Sequence, residues 1–388
     1  MSAANLPPPF PDALAHSQRL VAAIVAEMTA AGGMISFARY MELALYAPGL
    51  GYYTAGSQKF GAAGDFVTAP ELSPLFAQAL ANQAAQVMAA SAPHIMEAGA
   101  GTGRLAADLL AALEALGCLP ETYSILDLSP DLRQRQARTL EEKVPHLAAR
   151  VRWLDRLPER FSGLVLGNEV LDAMPVHLVA WRENGIFERG VAFEDGSFTW
   201  KERLAEGELL ARATALAEEC AIPQSGYVSE INLAASAWVA SWAAILDQGT
   251  LLLLDYGFPR HEYYHPQRGG GTLMCHYRHH SHPEPFHLPG LTDITAHVDF
   301  TAVAEAGFDA GLELLGYTAQ GQFLMNCGLL ESLSSLPSGS VDYLKASAMV
   351  QKLLQPHEMG ELFKVIALGK GVNQLLTGFS RGDRSHTL

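Results

Sequence analysis

The chain has 388 residues, of which 49% are hydrophobic and 17% are charged, so it can bury a sizeable core and its composition excludes a disordered chain. Its 26 Lys and Arg residues are outnumbered by 41 Asp and Glu residues, and the net charge of −15 argues against nucleic acid or anionic lipid as a partner. The four cysteines are widely spaced, and the N-terminus lacks the basic segment and apolar core of a targeting peptide. No apolar run approaches the length of about 20 residues that a membrane span needs. These features predict a cytoplasmic protein without a targeting peptide or membrane insertion.

Two helices and a long loop are predicted near the N-terminus. Apolar residues at helical spacing predict a helix over 16–31, and a second helix begins after Ser36, which suits an N-cap. Residues 47–73 are dense in Gly, Pro and aromatic residues, which indicates an irregular stretch of the kind that often carries function. We predict that residues 1–72 form a helical and loop segment packed on the core.

From residue 73 onward, apolar strands alternate with amphipathic helices, a pattern typical of βαβ units and a parallel sheet. The run 250–258 is apolar enough to be a central strand buried on both faces. The sequence thus predicts an α/β, Rossmann-like domain over residues 73–375, followed by a flexible tail at 376–388. The other strands are predicted within 94–99, 123–129, 151–154, 163–172 and 360–371, and the helices at about 73–90, 104–117, 131–142, 232–246 and 341–354.

Two segments interrupt this alternation. Asn184-Gly185 and Asp195-Gly196 lie between aromatic and β-branched stretches and predict hairpin turns. An inserted antiparallel β meander is therefore predicted at about 178–225, with a helix near 203–219 as its last part. A second irregular stretch, rich in His, Pro and Gly, begins at residue 259.

Three glycines alternate in the stretch EAGAGTGRL, between a predicted strand and a predicted helix. Gly99 and Gly101 match the first two positions of the dinucleotide-binding pattern G-x-G-x-x-G, but Arg104 occupies the third. Glu97, Gly99, Gly101 and Gly103 instead form the pattern E-x-G-x-G-x-G, in which glycine permits unusual backbone angles and the close approach of a ligand. The helix N-terminus that follows favours a carboxylate as well as a phosphate, and we expect Arg104 to pair with a nearby acid.

An acidic residue follows the next predicted strand. Asp127 lies 24 positions after Gly103, where a carboxylate can accept hydrogen bonds from both hydroxyls of a ribose. The alternative for Asp127 is a turn or capping role, which the following Ser-Pro-Asp also suits. Glu97 is a candidate partner for an ammonium group. S-adenosylmethionine carries a ribose, a carboxylate and an ammonium without a pyrophosphate, so it suits this site better than a dinucleotide.

Several motifs along the chain are typical of one protein family. They are ARYMELALYAPGLGYY, GDFVTAPELSPLF, EAGAGTGRL, LDLSPDLRQRQ, GNEVLDAMPVH, LLLLDYG, GTLMCHYRHHSHPEPFHLPGLTDITAHVDF and MGELFKVIAL. Over roughly residues 16–370 the chain resembles the MidA family, relatives of mitochondrial complex I assembly factor 7. The family departs from this chain mainly in having Glu at the position of Asp127 and a turn closer to ELGPGTG.

The resemblance implies a class I S-adenosylmethionine-dependent methyltransferase with a mostly parallel seven-stranded sheet. It implies S-adenosyl-L-methionine as the cofactor and a protein substrate, because the mitochondrial relatives methylate arginine of a core complex I subunit. It also implies that residues 259–299 form a loop on the substrate side of the domain.

Candidate catalytic residues lie in the stretch GNEVLD, where the carboxyl end of a parallel strand is expected to face the ligand. An arginine acceptor stays charged, since its pKa is above about 12, so carboxylates must hold and orient it. Glu169 is the first candidate for this clamp. Asp172 is either a second clamp or a brace of the loop, and Asn168 could bind cofactor or substrate.

Further polar residues are weaker candidates. His297 and Asp299 are predicted to line the substrate side, although Asp299 also suits a helix cap, and Asp255 is open between a site role and a structural role. A metal site is not predicted, because adjacent histidines in this stretch do not easily point at one ion. The histidines and cysteine concerned are Cys275, His276, His279, His280 and His282.

Two other functions compete with methyl transfer. A non-catalytic assembly or interaction protein could retain the methyltransferase fold, but it would not need the glycine turn or Asp127. A nicotinamide-dependent oxidoreductase is disfavoured by Arg104 at the position of the third glycine.

Overall fold

The computed structural model describes residues 6–55, 68–127 and 129–388. Within these ranges the chain forms thirteen α-helices and sixteen β-strands. The helices are α1 (Pro11–Ala30), α2 (Phe37–Tyr46), α3 (Ala69–Leu72), α4 (Pro74–Ala90), α5 (Arg104–Ala115), α6 (Pro130–Lys143), α7 (Gly207–Glu219), α8 (Leu233–Ile245), α9 (Arg260–Tyr263), α10 (Phe300–Asp309), α11 (Gln320–Asn326), α12 (Leu329–Ser334) and α13 (Val341–Leu354). The strands are β1 (Ile35–Ser36), β2 (His94–Ala98), β3 (Thr122–Leu126), β4 (Val151–Leu154), β5 (Phe161–Asn168), β6 (His177–Arg182), β7 (Gly185–Glu194), β8 (Ser197–Leu204), β9 (Tyr227–Ile231), β10 (Leu246–Phe258), β11 (Met274–Tyr277), β12 (His280–His282), β13 (Asp293–Thr295), β14 (Val298–Asp299), β15 (Glu313–Ala319) and β16 (Phe363–Lys370).

These elements divide into two compact units. The parallel-sheet unit contains the described residues of Val67–Val170, together with Trp238–Gly257 and Phe300–Leu388. The meander unit contains the described residues of Met1–Phe66, together with Leu171–Ala237 and Phe258–Asp299. The sequence predicts that residues 1–72 pack on the core of one domain. In the structure, the N-terminal helices instead share a hydrophobic core with the meander strands.

The parallel-sheet unit is built on seven strands in the order β15-β16-β10-β5-β2-β3-β4. Strands β4, β3, β2, β5 and β10 pair in parallel, whereas β16 is antiparallel to both of its neighbours. Residues Leu251–Leu254 of β10 are completely buried, as the apolar run predicted. The predicted α/β fold with a mostly parallel sheet is confirmed, and seven strands of this unit follow one continuous order.

The meander unit contains an antiparallel sheet in the order β1-β7-β6-β9, and β8 also pairs with β7. Asp195 and Gly196 form the second hairpin turn with φ values of 50° and 81°, as predicted. The first turn is shifted by one residue, because Gly185 already pairs with Arg182 across the strands. Helix α7 begins at Gly207 rather than near 203, since the preceding residues continue β8.

The N-terminal helices pack on this antiparallel sheet. Ser36 caps α2 by accepting a hydrogen bond from the Arg39 backbone N–H at 3.1 Å, which confirms the predicted N-cap. Leu20, Ile24 and Tyr40 lie completely buried in a core that the helices share with β6 and β7. No helix within the described ranges combines the length and the apolar character needed to cross a membrane.

The C-terminal residues are packed, in contrast to the predicted flexible tail at 376–388. The Phe379 ring contacts Phe323 at a centroid distance of 5.4 Å and is 2% exposed. Asp383 accepts a hydrogen bond from the Tyr317 backbone N–H at 3.1 Å, and Arg384 pairs with Glu361. These anchors are single side chains without helical or strand periodicity, so the pattern of the sequence did not reveal them.

Candidate functional site

Four neighbouring strands of the parallel-sheet unit reach one edge of the sheet, where β2, β3 and β5 end and β10 continues to Phe258. Ala98 on β2 lies in register with Leu126 on β3 and with Gly167 on β5, and Asn168 on β5 pairs with Leu254 on β10. The residues that follow therefore converge at the carboxyl edge, the position at which open α/β sheets bind ligands. These residues are Gly99, Asp127, Glu169 and Asp255.

The glycine turn connects β2 to α5 in a backbone conformation that favours glycine. Gly99, Gly101 and Gly103 have φ values of 67°, 52° and 81°. A Cβ on Gly101 would meet no atom of the described residues within 4 Å, so these residues leave space beside this turn. A Cβ on Gly103 would lie 2.8 Å from Cα of Gln136, so this glycine allows α5 to approach α6.

The Arg104 side chain pairs with Asp108, whereas its backbone N–H donates to the Thr102 hydroxyl of the turn at 3.3 Å. The Arg104 Nε atom lies 2.5 Å from Oδ2 of Asp108, one helical turn further along α5. This ion pair confirms the expectation that Arg104 pairs with a nearby acid.

Glu97, the fourth residue of β2, is buried beneath the turn. Its side chain is 2% exposed and its Oε2 atom accepts a 2.6 Å hydrogen bond from the Tyr123 hydroxyl. Burial raises the pKa of Glu97 to about 7, while the Tyr123 hydroxyl opposes this shift and the nearby Asp127 adds to it. A cationic group beside Glu97 would favour its charged form.

Asp127 follows β3 and is held by two hydrogen bonds, one to each oxygen of its carboxylate. Oδ1 accepts from the Ser129 backbone N–H at 2.9 Å, and Oδ2 accepts from Nε2 of Gln136 at 2.7 Å. Burial raises the pKa of Asp127, and both hydrogen bonds oppose this shift. A carboxylate offers about four acceptor positions, so Asp127 retains the capacity to accept two further hydrogen bonds.

Two contacts at this edge were not anticipated from the sequence. The Thr102 hydroxyl donates a 2.5 Å hydrogen bond to Oε1 of Glu71, which attaches helix α3 to the glycine turn. Gln136 is completely buried, although a signal for it existed: it lies between Leu132 and Leu140 at the i, i+4 spacing of an inward helix face. The contact of Glu71 had no such signal, because its partner lies 31 residues away.

Glu169 has a backbone conformation that is unusual for a residue other than glycine, with φ of 53°. Its backbone N–H donates to Leu254 O at 2.8 Å. Its Oε1 atom accepts from Nδ2 of Asn168 at 3.0 Å and from the Ala69 backbone N–H at 3.4 Å. Such left-handed residues often lie at functional sites, where the surrounding structure holds them in place.

Asp255 supports the turn that Glu169 begins. Its two carboxylate oxygens accept hydrogen bonds from the backbone N–H groups of Val170 at 3.1 Å and of Tyr256 at 2.9 Å. It is 1% exposed, so it acts as a buried brace of the segment after β5.

The remaining predicted residues belong to the meander unit. Asp172 is 6% exposed, and its carbonyl accepts a hydrogen bond from the Ala296 N–H at 3.0 Å. The His297 ring stacks on Phe258 at a centroid distance of 5.3 Å. Asp299 lies with its Oδ2 atom 3.8 Å from Nε of Arg260. Asp172 and His297 are thus neighbours through Ala296, while Asn168 and Glu169 belong to the other unit.

The predicted irregular stretch of the meander unit contains a small sheet in the order β12-β11-β13. Its histidine-rich part forms a hairpin in which Cys275 faces His282 across the strands and Tyr277 faces His280. Among residues 6–55, 68–127 and 129–388, no three His, Cys, Asp or Glu side chains are arranged as metal ligands.

The chain matches known proteins over most of its length. The family described as S-adenosyl-L-methionine-dependent methyltransferase matches residues 76–318. This chain belongs to that family. S-adenosyl-L-methionine is thus the methyl donor of this methyltransferase.

Solved and curated relatives agree with this assignment. A structure from Burkholderia thailandensis, bound to S-adenosyl-homocysteine, is 55% identical with a TM-score of 0.95 and covers 99% of this chain and 100% of that chain. Protein arginine methyltransferase NDUFAF7, mitochondrial, from Danio rerio is 30% identical over 87% of this chain and 84% of its own length. The protein of the same name from Mus musculus is 29% identical over 87% and 81%.

The carboxyl edge of the methyltransferase sheet fits this donor. The left-handed glycine turn leaves space at Gly101, and Asp127 has acceptor positions left for two ribose hydroxyls. Glu97 provides a buried carboxyl group that a cation would stabilise in its charged form.

Proposed function

We propose that the methyltransferase transfers a methyl group to an arginine side chain of a protein substrate. The names of the curated relatives, protein arginine methyltransferase NDUFAF7, support the choice of acceptor. The observation that carries the proposal is the strained backbone of Glu169, one residue beyond the strand that borders the glycine turn. A strained acidic residue at this edge of the sheet supports Glu169 as the residue that holds the acceptor.

Five residues form the proposed donor site. Gly99, Gly101 and Gly103 let the backbone approach the ligand, Asp127 accepts the ribose hydroxyls and Glu97 interacts with the ammonium group. S-adenosyl-L-methionine supplies the methyl group on a positively charged sulfur. Glu97 and Asp127, the two acids of this site, lie at the carboxyl ends of the neighbouring strands β2 and β3, whose pairing fixes their relative positions.

Glu169 and Asn168 are the proposed acceptor residues. Arginine is a poor nucleophile because its positive charge is delocalised and its pKa is above about 12. Glu169 orients the guanidinium, and its Oε1 atom is itself held by Asn168 and by the Ala69 N–H. The acceptor nitrogen bonds to the methyl carbon as the carbon–sulfur bond breaks, and one N–H proton leaves that nitrogen. We assign the acceptance of this proton to the Glu169 carboxylate, and much of the rate to positioning.

The partner and the other predicted residues are further parts of the proposal. By resemblance, the substrate is a subunit of respiratory complex I. Asp172 stays a prediction as a second acid of the clamp or a brace of the loop, and His297 and Asp299 stay predictions as residues of the substrate side. A cytoplasmic location likewise stays a prediction from the sequence.

The test is a labelling experiment. The protein is incubated with radiolabelled S-adenosyl-L-methionine and a lysate of cells that lack the protein, and the labelled band is hydrolysed and analysed for methylarginine. We expect one labelled protein containing methylarginine, and none with the matched variant Glu169→Gln. Label on another amino acid would contradict the arginine assignment, and no label at all would favour a non-catalytic assembly role.

A further inference from the structure

We propose that Gln136 is a positioning residue for the methyl donor, because its side-chain amide fixes the Asp127 carboxylate and the glycine turn in one arrangement. The inference rests on the proposed donor site and adds a residue that contacts both of its parts. It concerns only residues of the parallel-sheet unit.

The amide of Gln136 makes three hydrogen bonds. Its Nε2 atom donates to Oδ2 of Asp127 at 2.7 Å and to the carbonyl oxygen of Gly101 at 3.1 Å. Its Oε1 atom accepts from the indole N–H of Trp153 at 2.8 Å. The Trp153 contact fixes the orientation of the amide, because only the oxygen can accept from the indole.

The surroundings of Gln136 allow little freedom. The side chain is completely buried, and Gly103 approaches it so closely that a Cβ there would lie 3.1 Å from Cβ of Gln136. A buried amide with all of these contacts satisfied is costly to disturb, and each lost partner leaves another polar group unpaired.

The consequence for the site is a fixed Asp127. The Ser129 N–H and the Gln136 amide each occupy one side of the carboxylate, so the remaining lone pairs point in set directions. The same amide holds Gly101, the residue beside which space remains for the ligand. Gln136 therefore couples the ribose acid to the turn without being required to touch the donor.

The test measures S-adenosyl-homocysteine binding by calorimetry in Gln136→Met, in Gln136→Glu and in Asp127→Ala. Gln136→Met loses the donor to the buried Asp127 carboxylate and the donor to the Gly101 carbonyl, which predicts about tenfold or more weaker binding. In the Asp127→Ala background, Gln136→Met should weaken binding less than it does alone, because only the contact with the Gly101 carbonyl remains to be lost.

The pH dependence separates positioning from a general loss of packing. Gln136→Met removes a hydrogen bond that favours the charged form of Asp127, so its deficit relative to the native protein should grow as the pH falls. Gln136→Glu places a second carboxyl group beside Asp127, so its loss of affinity should be greatest near about pH 8. The loss should shrink at lower pH, where a proton shared by the two carboxyl groups restores the hydrogen bond.

The matched control is Gln83→Met. Gln83 is equally buried in the same unit, but its amide contacts Gln86 and the Gly378 N–H. Gln83→Met should lower the melting temperature and leave the affinity for S-adenosyl-homocysteine within about twofold, since these hydrogen bonds join Gln83 to neither Asp127 nor the glycine turn. If Gln136→Met does not fold, Trp153→Phe removes only the orienting donor and should weaken binding about threefold.

The outcomes distinguish this inference from the proposed site. Unchanged binding in Asp127→Ala would overturn the donor site itself. Weak binding in Asp127→Ala with near-native binding in folded Gln136→Met, or losses that add fully in the double variant, would overturn only the role of Gln136.

Discussion

The Tyr123 hydroxyl donates a 2.6 Å hydrogen bond to Oε2 of Glu97, and both side chains are buried. Burial nevertheless raises the pKa of Glu97 to about 7, so a large fraction of this carboxyl group is protonated at neutral pH. A site with a buried acid of this kind is less stable when empty than when a cation is present, and this relationship leads to the first two predictions.

Glu97→Gln should stabilise the protein without ligand in alkaline solution. The folded protein holds a proton on Glu97 that the unfolded chain has lost above its usual pKa of 4.5, so the contribution of Glu97 to stability falls as the pH rises from about 4.5 through about 7. Glutamine does not ionise, so the variant keeps its stability as the pH rises. Its free energy of unfolding near about pH 8 should exceed that of the native protein by about 3 kcal/mol. Urea unfolding near pH 5 and pH 8 measures this. If the two proteins differed in free energy of unfolding by the same amount at both pH values, the raised pKa of Glu97 would be contradicted.

Tyr123→Phe should raise the pKa of Glu97 further, because the variant lacks the hydroxyl that favours the charged carboxylate. Binding of S-adenosyl-homocysteine should become about threefold weaker near pH 7 and recover near about pH 8.5. Calorimetry over this range provides the measurement. Tyr227→Phe is the control, since the Tyr227 hydroxyl donates to the backbone carbonyl of His265 in the meander unit. An equal effect in both variants would rule out a specific role of Tyr123.

Gly101→Ala should separate ligand space from backbone strain. Gly101 has φ of 52° and Gly117 has φ of 70°, and in the described part of the chain nothing lies within 4 Å of a Cβ built on either. Both alanine variants should lose about 1 kcal/mol of stability through the left-handed backbone. Only Gly101→Ala should also weaken S-adenosyl-homocysteine binding, by about tenfold or more, because its methyl group would occupy the space beside the turn. Equal affinities in the two variants would mean that the ligand does not approach Gly101.

Glu169→Gly should preserve stability and remove activity. Glycine adopts a φ of 53° without strain, so the variant should be as stable as the native protein or more stable by up to about 1 kcal/mol. Methyl transfer should fall by at least about 100-fold because the acceptor clamp is lost, while donor binding is retained. Asp195→Gly, at φ of 50° in a hairpin turn, is the control and should keep its activity. A Glu169→Gly protein with native turnover would remove Glu169 from the mechanism.

The sequence predicted the sheet, its central strand and the residues at its carboxyl edge, because each rests on a local pattern. Strand and helix periodicity located β2, β5 and β10, and the glycines marked the turn. What it missed depends on contacts between distant residues. The bond from Thr102 to Glu71 and the packing of Phe379 on Phe323 join residues that share no periodicity.

Backbone strain also escaped prediction. Nothing in the letters GNEVLD shows that Glu169 adopts a left-handed conformation, because the surrounding hydrogen bonds impose it. Gln136 was within reach of sequence reasoning, since a lone amide on an inward helix face needs partners. The small sheet within residues 259–299 was hidden by a composition rich in turn residues.

The central claim, that the glycine turn and Asp127 hold the methyl donor, is tested most directly by titrating S-adenosyl-homocysteine into the native protein, Asp127→Ala and Asp131→Ala. Asp131 lies on the neighbouring helix α6 and pairs with Arg135, so its variant controls for the loss of one negative charge. The account predicts about 10- to 100-fold weaker binding in Asp127→Ala, from the loss of charge-assisted hydrogen bonds, and near-native binding in Asp131→Ala. Equal and native-like affinities in all three proteins would contradict it.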